Sequence, residues 1–251
     1  LQLSVYVQWL VIGLSQKLMP LWFRLLVSWP AYWYFASTWF GSAFLPLHLI
    51  QSVPSWVAPA TGMILGGIGM YQSLADPRFC GEVVNIDLTE DRAAYPETQA
   101  NKTVKRIANK APKDSKVLNV FQITDSHLGP FMSEERMFRI CTKIANDPNI
   151  DLVVITGDLE TIGSHNSEEA LGRSFKPLKS IKGKVFACLG NHDYETLDRV
   201  RRALADNDVV LLEDEEAIVD TRVGPVQIIG SIFTFSGTEG SERHIVELCQ
   251  K

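Results

Sequence analysis

Three apolar runs in the sequence each end in side chains that can bind a divalent cation. Runs of this length and composition are expected of strands buried on both faces. Ligands bind beyond the carboxyl ends of strands in an open α/β sheet, so three strands could bring their side chains to one point. The candidate ligands are Asp125 and His127 after run 117–124, Asp158 after run 152–156, and Asn191 and His192 after run 185–189. Together they would form a divalent-metal site.

The segments between and after these runs have the patterns of helices and short strands. A helix is predicted after Ser133, which can cap it, and should end before Pro148. A second helix is predicted from Ser167, irregular at Pro177, and a third contains residues 197–204. Short strands are predicted at 209–212, 217–221 and 226–229. Helix-connected strands followed by closely spaced ones predict an α/β fold with a mixed β-sandwich.

The N-terminal part of the 251-residue chain lacks charge over a long stretch. No Lys, Arg, Asp or Glu occurs from Leu25 to Ala75, which leaves room for two spanning helices of about 20 residues. We therefore predict a transmembrane region over residues 1–75, with helices near Leu25–Leu47 and Ser55–Ala75 and room for an earlier one. All six tryptophans lie there, as expected of membrane–water interfaces. The alternative is a pair of buried core helices, since the segment is too long for a signal peptide.

The basic residues near the start of the chain indicate an orientation in the membrane. Lys17 and Arg24 favour the cytoplasmic side, and two spans would return the chain to that side. The sequence thus predicts an integral membrane protein whose soluble domain faces the cytoplasm. Residues 76–116 are predicted to form a polar connector that contains an edge strand at Glu82–Leu88.

The net charge and the cysteine spacing indicate which classes of function the chain is not expected to have. The chain has 24 basic and 29 acidic residues and a net charge of −5, which argues against a nucleic-acid partner because such surfaces are normally basic. A phosphate-processing site can still lie in an acidic domain, because bound cations reverse the local field. The four cysteines lack paired spacing, so we expect them to be structural.

The three motifs resemble, in their order and position, those of the calcineurin-like metallophosphoesterase superfamily, with membrane-attached members as the nearest subgroup. They read Asp125-x-His127, Gly157-Asp158 and Gly190-Asn191-His192-Asp193. The resemblance covers about residues 117–229. It implies a mixed β-sandwich flanked by helices, here partial and preceded by the predicted transmembrane helices. The corresponding domain is predicted at 117–251 and is expected to be incomplete.

The resemblance also implies a set of metal ligands. Two divalent ions, such as Mn, Fe or Zn, would lie close together and bind a phosphate. Asp125 and His127 would bind the first ion, Asp158 would bridge both, and Asn191 would bind the second. A water between the ions would attack phosphorus in line.

Further residues acquire roles by the same resemblance. His192 would contact the phosphate and protonate the leaving group, while Asp193 would orient the imidazole. Gly157 and Gly190 would allow sharp turns at the strand ends and close approach to the metals. Two more side chains, Thr124 and Glu160, are candidates for fixing ligand orientation.

The sequence departs from the family in its later histidines. Family members complete the site with an isolated histidine and a Gly-His-x-His motif, but after Asp193 only His244 remains. His48 and His165 do not lie where the pattern needs them. The chain also ends soon after the middle of the predicted sandwich. We interpret it as a fragment, and the alternative is a natural short form with a damaged site.

These observations favour a membrane-anchored, metal-dependent phosphoesterase that hydrolyses a phosphomonoester or phosphodiester through a water activated by two metals. The expected partner is a phosphoester substrate. A lipid head group is a candidate, because restricting enzyme and substrate to one surface raises their effective concentration. The alternative is a non-catalytic, membrane-tethered scaffold or interaction module that retains the fold.

Overall fold

The computed structural model describes residues 2–46, 53–74, 105–107, 117–167, 169–234 and 237–249. The chain divides into two compact units, a helical N-terminal unit and a unit with two β-sheets. The edge strand predicted at Glu82–Leu88 and the side chain of His48 lie outside the described residues.

The N-terminal unit is helical. Its elements are α1 (Gln2–Ser15), α2 (Leu21–Phe23), α3 (Trp29–Ala43) and α4 (Val57–Leu74), and a π-helical segment at Arg24–Ser28 joins α2 to α3. Helices α3 and α4 lie very close together, because a Cβ at Gly62 would overlap the backbone of α3 at Ser37 and Gly41. Small residues therefore set the distance between these two helices.

The two predicted transmembrane helices, Leu25–Leu47 and Ser55–Ala75, are not supported. Across the residues that the structure describes, none of the helices has both the length and the apolar character needed to cross a bilayer. Helix α3 has 15 residues and α4 has 18, whereas a span needs about 20 predominantly apolar residues. The lack of charge along this stretch indicated apolar character but did not set the helix lengths.

The second unit contains seven strands among its described residues. They are β1 (Lys105–Ile107), β2 (Val120–Ile123), β3 (Leu152–Thr156), β4 (Val185–Cys188), β5 (Val210–Leu211), β6 (Glu215–Thr221) and β7 (Gly224–Gly230). One sheet is parallel, with strand order β2-β3-β4-β5. The other has the order β1-β6-β7, with β1 parallel and β7 antiparallel to β6. The predicted α/β class and its parallel sheet are confirmed.

Helices of the second unit connect or follow these strands. They are α5 (Glu134–Asn146), α6 (Ala170–Phe175), α7 (Leu197–Asp206) and α8 (Gly237–Cys249). The cap predicted at Ser133 is confirmed, since its side chain accepts the backbone N–H of Arg136 at 3.3 Å. The helix predicted from Ser167 begins later, after Glu169, and becomes a 3₁₀ helix at Lys176–Ile181, where Pro177 lies.

Apolar side chains cover both faces of the parallel sheet. Leu152 and Phe186 pack in a cluster with Ala217 of β6, which joins the two sheets face to face. Val153 and Val185 point to the other face and belong to a larger cluster that includes residues of α5, α6 and α7. This alternation along neighbouring strands explains why the strand sequences are apolar throughout. The parallel sheet is thus held rigidly between helices and a second sheet.

Part of the predicted connector belongs to the second sheet. Lys105–Ile107 pairs in parallel with residues 217–219 of β6. Pairing between segments so far apart in sequence depends on the assembled sheet, so local patterns do not reveal it.

Candidate metal centre

The loops after β2 and β3 run side by side, and this brings the first candidate ligands together. The backbone N–H of Asp125 donates to the carbonyl of Gly157 at 3.2 Å, and that of His127 donates to the carbonyl of Asp158 at 3.0 Å. Adjacent parallel strands end at the same edge of a sheet, so their loops can continue this pairing. The backbone therefore carries Asp125 and His127 to Asp158.

Three of the predicted ligands form a compact cluster. The Nε2 atom of His127 lies 3.8 Å from Oδ1 of Asp125 and 3.9 Å from Oδ2 of Asp158. One ligand atom from each of the three lies within 4.8 Å of those of the other two. Carboxylate oxygens and an imidazole nitrogen suit first-row divalent ions. The residues present therefore fit a metal ion at this position.

The backbone of these three residues is strained in the same way. The φ angles are +50° at Asp125, +42° at His127 and +54° at Asp158, all in the left-handed region. Residues other than glycine adopt this region at a cost of about 1 kcal/mol or more each. Strain of this kind persists where the surrounding structure enforces it, which occurs most often at functional sites.

Two glycines permit the close approach of the loops after β3 and β4. Gly157 has a φ of +82°, and a Cβ there would overlap the backbone nitrogen of Gly190. A Cβ on Gly190 would in turn overlap Oδ1 of Asp158 and lie 2.6 Å from its backbone nitrogen. The turn predicted at Gly157 is present, and both positions exclude larger side chains.

The buried carboxylate of Asp193 joins the loops after β3 and β4 where they approach each other. Its Oδ2 accepts the backbone N–H groups of Asp158 and Gly190, each at 2.9 Å, and its Oδ1 accepts that of Leu159 at 2.9 Å. Burial raises the pKa of Asp193, and the three N–H donors act in the opposite direction. Asp193 thus fixes the backbone on both sides of the cluster.

The third motif also reaches the cluster. The backbone N–H of His192 donates to Oδ1 of Asp158 at 3.0 Å, and the imidazole rings of His192 and His127 are 5.3 Å apart. Asn191 and Asp158 line a cleft of about 330 Å³ whose other wall includes Ser231. Asn191 therefore shares a cleft with Asp158, and His192 lies beside both Asp158 and His127.

The imidazole of His192 has a different partner from the one predicted. Its Nδ1 lies 2.9 Å from Oε1 of Glu195, whereas the Asp193 carboxylate accepts hydrogen bonds from backbone N–H groups. The two residues are the first and fourth of a 3₁₀ segment, His192–Thr196, in which side chains three apart lie one above the other. Glu195, and not the predicted Asp193, therefore contacts the imidazole of His192.

The two predicted orienting side chains differ in what they contact. The hydroxyl of Thr124 donates to Oδ2 of Asp125 at 2.5 Å, as an orienting residue would. Glu160 instead accepts the hydroxyl of Thr196 at 2.9 Å and pairs with Arg199 at 3.1 Å. Burial raises the pKa of Glu160, and the charge of Arg199 lowers it in part. Glu160 therefore anchors the 3₁₀ segment that carries His192 and Glu195.

The whole site lies within a recognisable family domain. Residues 118–244 match the family model of the calcineurin-like phosphoesterases. The chain belongs to the calcineurin-like phosphoesterase family. The resemblance carried by the three motifs is thus confirmed, and the matched residues include every clustered ligand described above.

Curated relatives of the chain carry the same domain. An uncharacterized metallophosphoesterase of Bacillus subtilis, YkoQ, is 31% identical over 122 residues, which is 46% of this chain and 43% of that protein. A transmembrane protein with metallophosphoesterase domain from Danio rerio is 30% identical over 51% of this chain and 30% of its own length. An uncharacterized metallophosphoesterase of Aquifex aeolicus is 32% identical over 38% of this chain and 36% of its own length. The chain spans less than half of each relative, and no solved structure matches it significantly.

The remaining described histidines lie apart from the three clustered ligands. His244, on α8, pairs through Nε2 with Oδ1 of Asp214 at 2.8 Å. His165 lies with its Nε2 3.6 Å from Oε2 of Glu195, and burial lowers the pKa of His165. Within the described residues, the His, Cys, Asp and Glu side chains placed so that they could hold a metal ion together are Asp125, His127 and Asp158.

Sequence reasoning missed one residue at the site. Glu195 follows His192 by three positions, and that spacing is a usable signal only if the segment is helical. The family resemblance pointed instead to the adjacent Asp193 as the partner of the imidazole. The helical segment reverses this choice, because it places the fourth residue above the first.

Proposed function

We propose that the protein is a metal-dependent phosphoesterase whose divalent ions are held by Asp125, His127, Asp158 and Asn191. The observation that supports it best is the convergence of ligand atoms from the first three residues within 4.8 Å, in a chain of the calcineurin-like phosphoesterase family. Two divalent ions would be held, with Asp158 shared between them. When bound, they would polarise the phosphoryl oxygens and make water available for in-line attack.

His192 is the proposed acid for the leaving group. Its ring lies 5.3 Å from that of His127, so it borders the position at which a phosphoryl group would bind. The oxygen of the leaving group takes a proton from the imidazole as its bond to phosphorus breaks. Asp193, which we predicted to act on the imidazole, instead keeps Asp158 and Gly190 in place through backbone hydrogen bonds.

The proposed substrate is a phosphomonoester or phosphodiester that enters the cleft beside Asp158 and Asn191. A phospholipid head group is one candidate. The helical unit exposes large apolar side chains, among them Trp9 at 68%, Trp22 at 61% and Trp39 at 70%, and such surfaces commonly contact other molecules. Parallel assays of a soluble monoester, a soluble diester and phosphatidate in vesicles separate these substrates.

Activity and metal binding of Asp158→Asn test the proposal. With Mn²⁺ and p-nitrophenyl phosphate or bis(p-nitrophenyl) phosphate, the variant should lose activity by at least the roughly 10- to 100-fold that loss of a residue orienting a metal ligand typically costs, because Asp158 is itself a proposed ligand. Equilibrium dialysis should show weaker Mn²⁺ binding. Asp206→Asn, which changes an exposed carboxylate, is the matched control and should retain both. Equal activity in the two variants would rule out the mechanism.

A second candidate is a metal-binding module without catalysis. The observation that favours it is the pairing of His244, the single histidine after Asp193, with Asp214, so that one histidine, His127, belongs to the described metal cluster. This candidate predicts stoichiometric Mn²⁺ binding that depends on Asp158, with no turnover of any of the three esters. Turnover that Asp158→Asn abolishes would exclude it.

A further inference from the structure

We infer that Glu195 is the positioning residue for the imidazole of His192, which it holds in the Nδ1–H form with Nε2 directed to the leaving group. The inference rests on the proposed function for its catalytic consequence, and on geometry for the contact itself. Oε1 of Glu195 lies 2.9 Å from Nδ1 of His192. An ionised carboxylate can only accept hydrogen bonds, so Nδ1 must carry the proton.

The local backbone keeps this pair together. His192 is the first residue of a 3₁₀ segment and Glu195 is the fourth. Side chains three positions apart in such a segment lie one above the other, so the local backbone alone brings the two together. Thr196, the last residue of the segment, donates its hydroxyl to buried Glu160 at 2.9 Å. Arg199 pairs with the same carboxylate at 3.1 Å. The segment is therefore fastened to the loop that follows Asp158.

A second histidine lies near the other carboxylate oxygen, beyond hydrogen-bond distance. Nε2 of His165 lies 3.6 Å from Oε2 of Glu195, and the side chain of His165 is only 10% exposed. Glu195 thus lies between two imidazoles, although 46% of its own side chain is exposed. The hydrogen bond of its carboxylate is the one to His192.

The consequence for the reaction is a defined path for one proton. As a water oxygen forms its bond to phosphorus and releases one of its protons to solvent, the bond from phosphorus to the leaving oxygen breaks. The leaving oxygen takes the proton from Nε2 of the His192 imidazolium, and the ring remains neutral with its Nδ1–H bonded to Glu195. The ring nitrogen that donates is thereby set by the hydrogen bond that the other nitrogen makes.

The contact is tested without activity by the tautomer of His192. Long-range ¹H–¹⁵N spectra of the full chain at mildly alkaline pH, where histidine is neutral, distinguish the two forms, with the His192 signals assigned from a His192→Gln variant. Wild type should show Nδ1–H, and Glu195→Ala should shift to Nε2–H. Glu195→Gln, whose amide oxygen still accepts, should keep Nδ1–H. Unchanged tautomers in Glu195→Ala would overturn the inference.

Two further variants test whether the tautomer of His192 depends on Glu195 itself rather than on neighbouring residues. His165→Ala removes the longer contact and should leave the His192 tautomer unchanged. Glu213→Ala removes a glutamate that pairs with Arg201 at 2.6 Å and serves as the matched control for loss of a carboxylate. A tautomer change in the control as large as that in Glu195→Ala would overturn the assignment to Glu195.

Kinetics with two leaving groups test the catalytic consequence. Glu195→Ala should lower kcat about 10- to 100-fold for an alkyl phosphoester, which needs the proton, and much less for a nitrophenyl ester, which does not. KM should change little for either. Equal losses for both esters would contradict the positioning role. If wild type hydrolyses neither ester while the tautomers behave as expected, the proposed function fails and the contact between Glu195 and His192 stands.

Discussion

The buried carboxylate of Asp193 accepts the backbone N–H of Asp158 at 2.9 Å, although the two residues are 35 positions apart in the sequence. The same carboxylate accepts two further N–H groups, from Leu159 and Gly190. One side chain thus joins the loop after β3, which carries the proposed metal ligand Asp158, to the loop after β4, which carries His192. The geometry of the site depends on this junction as well as on the ligands.

Asp193→Asn should destabilise the protein and weaken its metal binding. An amide offers one acceptor oxygen, and its NH₂ group would face an N–H donor that the carboxylate now accepts. Leaving a buried donor unsatisfied costs about 1–3 kcal/mol, so urea unfolding should show a loss of about this size. Mn²⁺ binding should weaken because the backbone of Asp158 is released. Asp206→Asn is the control, and a fully stable Asp193→Asn would show that the junction is dispensable.

Thr124→Val should weaken metal binding without a comparable loss of stability. The substitution keeps the shape of the side chain but removes the hydroxyl that donates to Asp125 at 2.5 Å. Loss of a residue that orients a ligand typically reduces metal affinity about 10-fold or more. Equilibrium dialysis with Mn²⁺ would measure the change. Thr142→Val, whose hydroxyl bonds to the carbonyl of Phe138 in its own helix, should bind the metal as wild type does.

Gly190→Ala should be poorly tolerated. The added methyl group would overlap Oδ1 of Asp158, and overpacking of this kind costs about 1–3 kcal/mol. The displaced carboxylate should also bind Mn²⁺ less tightly. In the matched control, Gly172→Ala, the nearest atoms to the new Cβ are 3.9 Å away, so this helix substitution should be neutral or stabilising by about 0.5–1 kcal/mol. Similar unfolding midpoints for the two variants would contradict the close approach.

Glu160→Gln should change how stability depends on pH. Burial raises the pKa of Glu160 above its ordinary value, with Arg199 acting against the shift. The folded state therefore binds more protons than the unfolded state, so the contribution of Glu160 to stability is lost as pH rises from about 4.3 through the folded pKa. The glutamine side chain does not titrate, so Glu160→Gln should lose less stability than wild type over this pH interval.

Urea unfolding at a series of pH values gives the comparison for Glu160. Glu213→Gln, which changes a partly exposed glutamate paired with Arg201, controls for loss of a negative charge. The stability of wild type relative to Glu160→Gln should fall as pH rises, whereas the control should run parallel to wild type. A difference that is constant with pH would show that the carboxyl group of Glu160 keeps its ordinary pKa.

The chemistry of the site and the parallel sheet could be predicted from the sequence. Burial on both faces requires continuous apolar strands, and that requirement is visible in residues 152–156 and 185–188 without any structure. Parallel strands also share a carboxyl edge, so the positions of Asp125 and Asp158 after their strands indicated that they would meet. These inferences depend on local composition and on a general rule of sheet architecture.

Partners that depend on three-dimensional placement could not be predicted in the same way. The carboxylates of Asp193 and Glu195 are two positions apart, yet one is buried on backbone N–H groups and the other contacts the imidazole of His192. The 3₁₀ segment determines which carboxylate meets which partner, because successive side chains of such a segment point to different sides. The same limit explains the N-terminal helices, where composition alone predicted spans that the described helix lengths do not support.

The sequence by itself therefore determined the types of the candidate ligands, their order and the sheet edge on which they lie, since each follows from local pattern. Tertiary structure decided the left-handed backbone at Asp125, His127 and Asp158, the pairing of β1 with β6 and the partner of each carboxylate. These features arise where segments that are distant in sequence pack against one another. Their energies depend on contacts that exist only once the sheets and loops have packed.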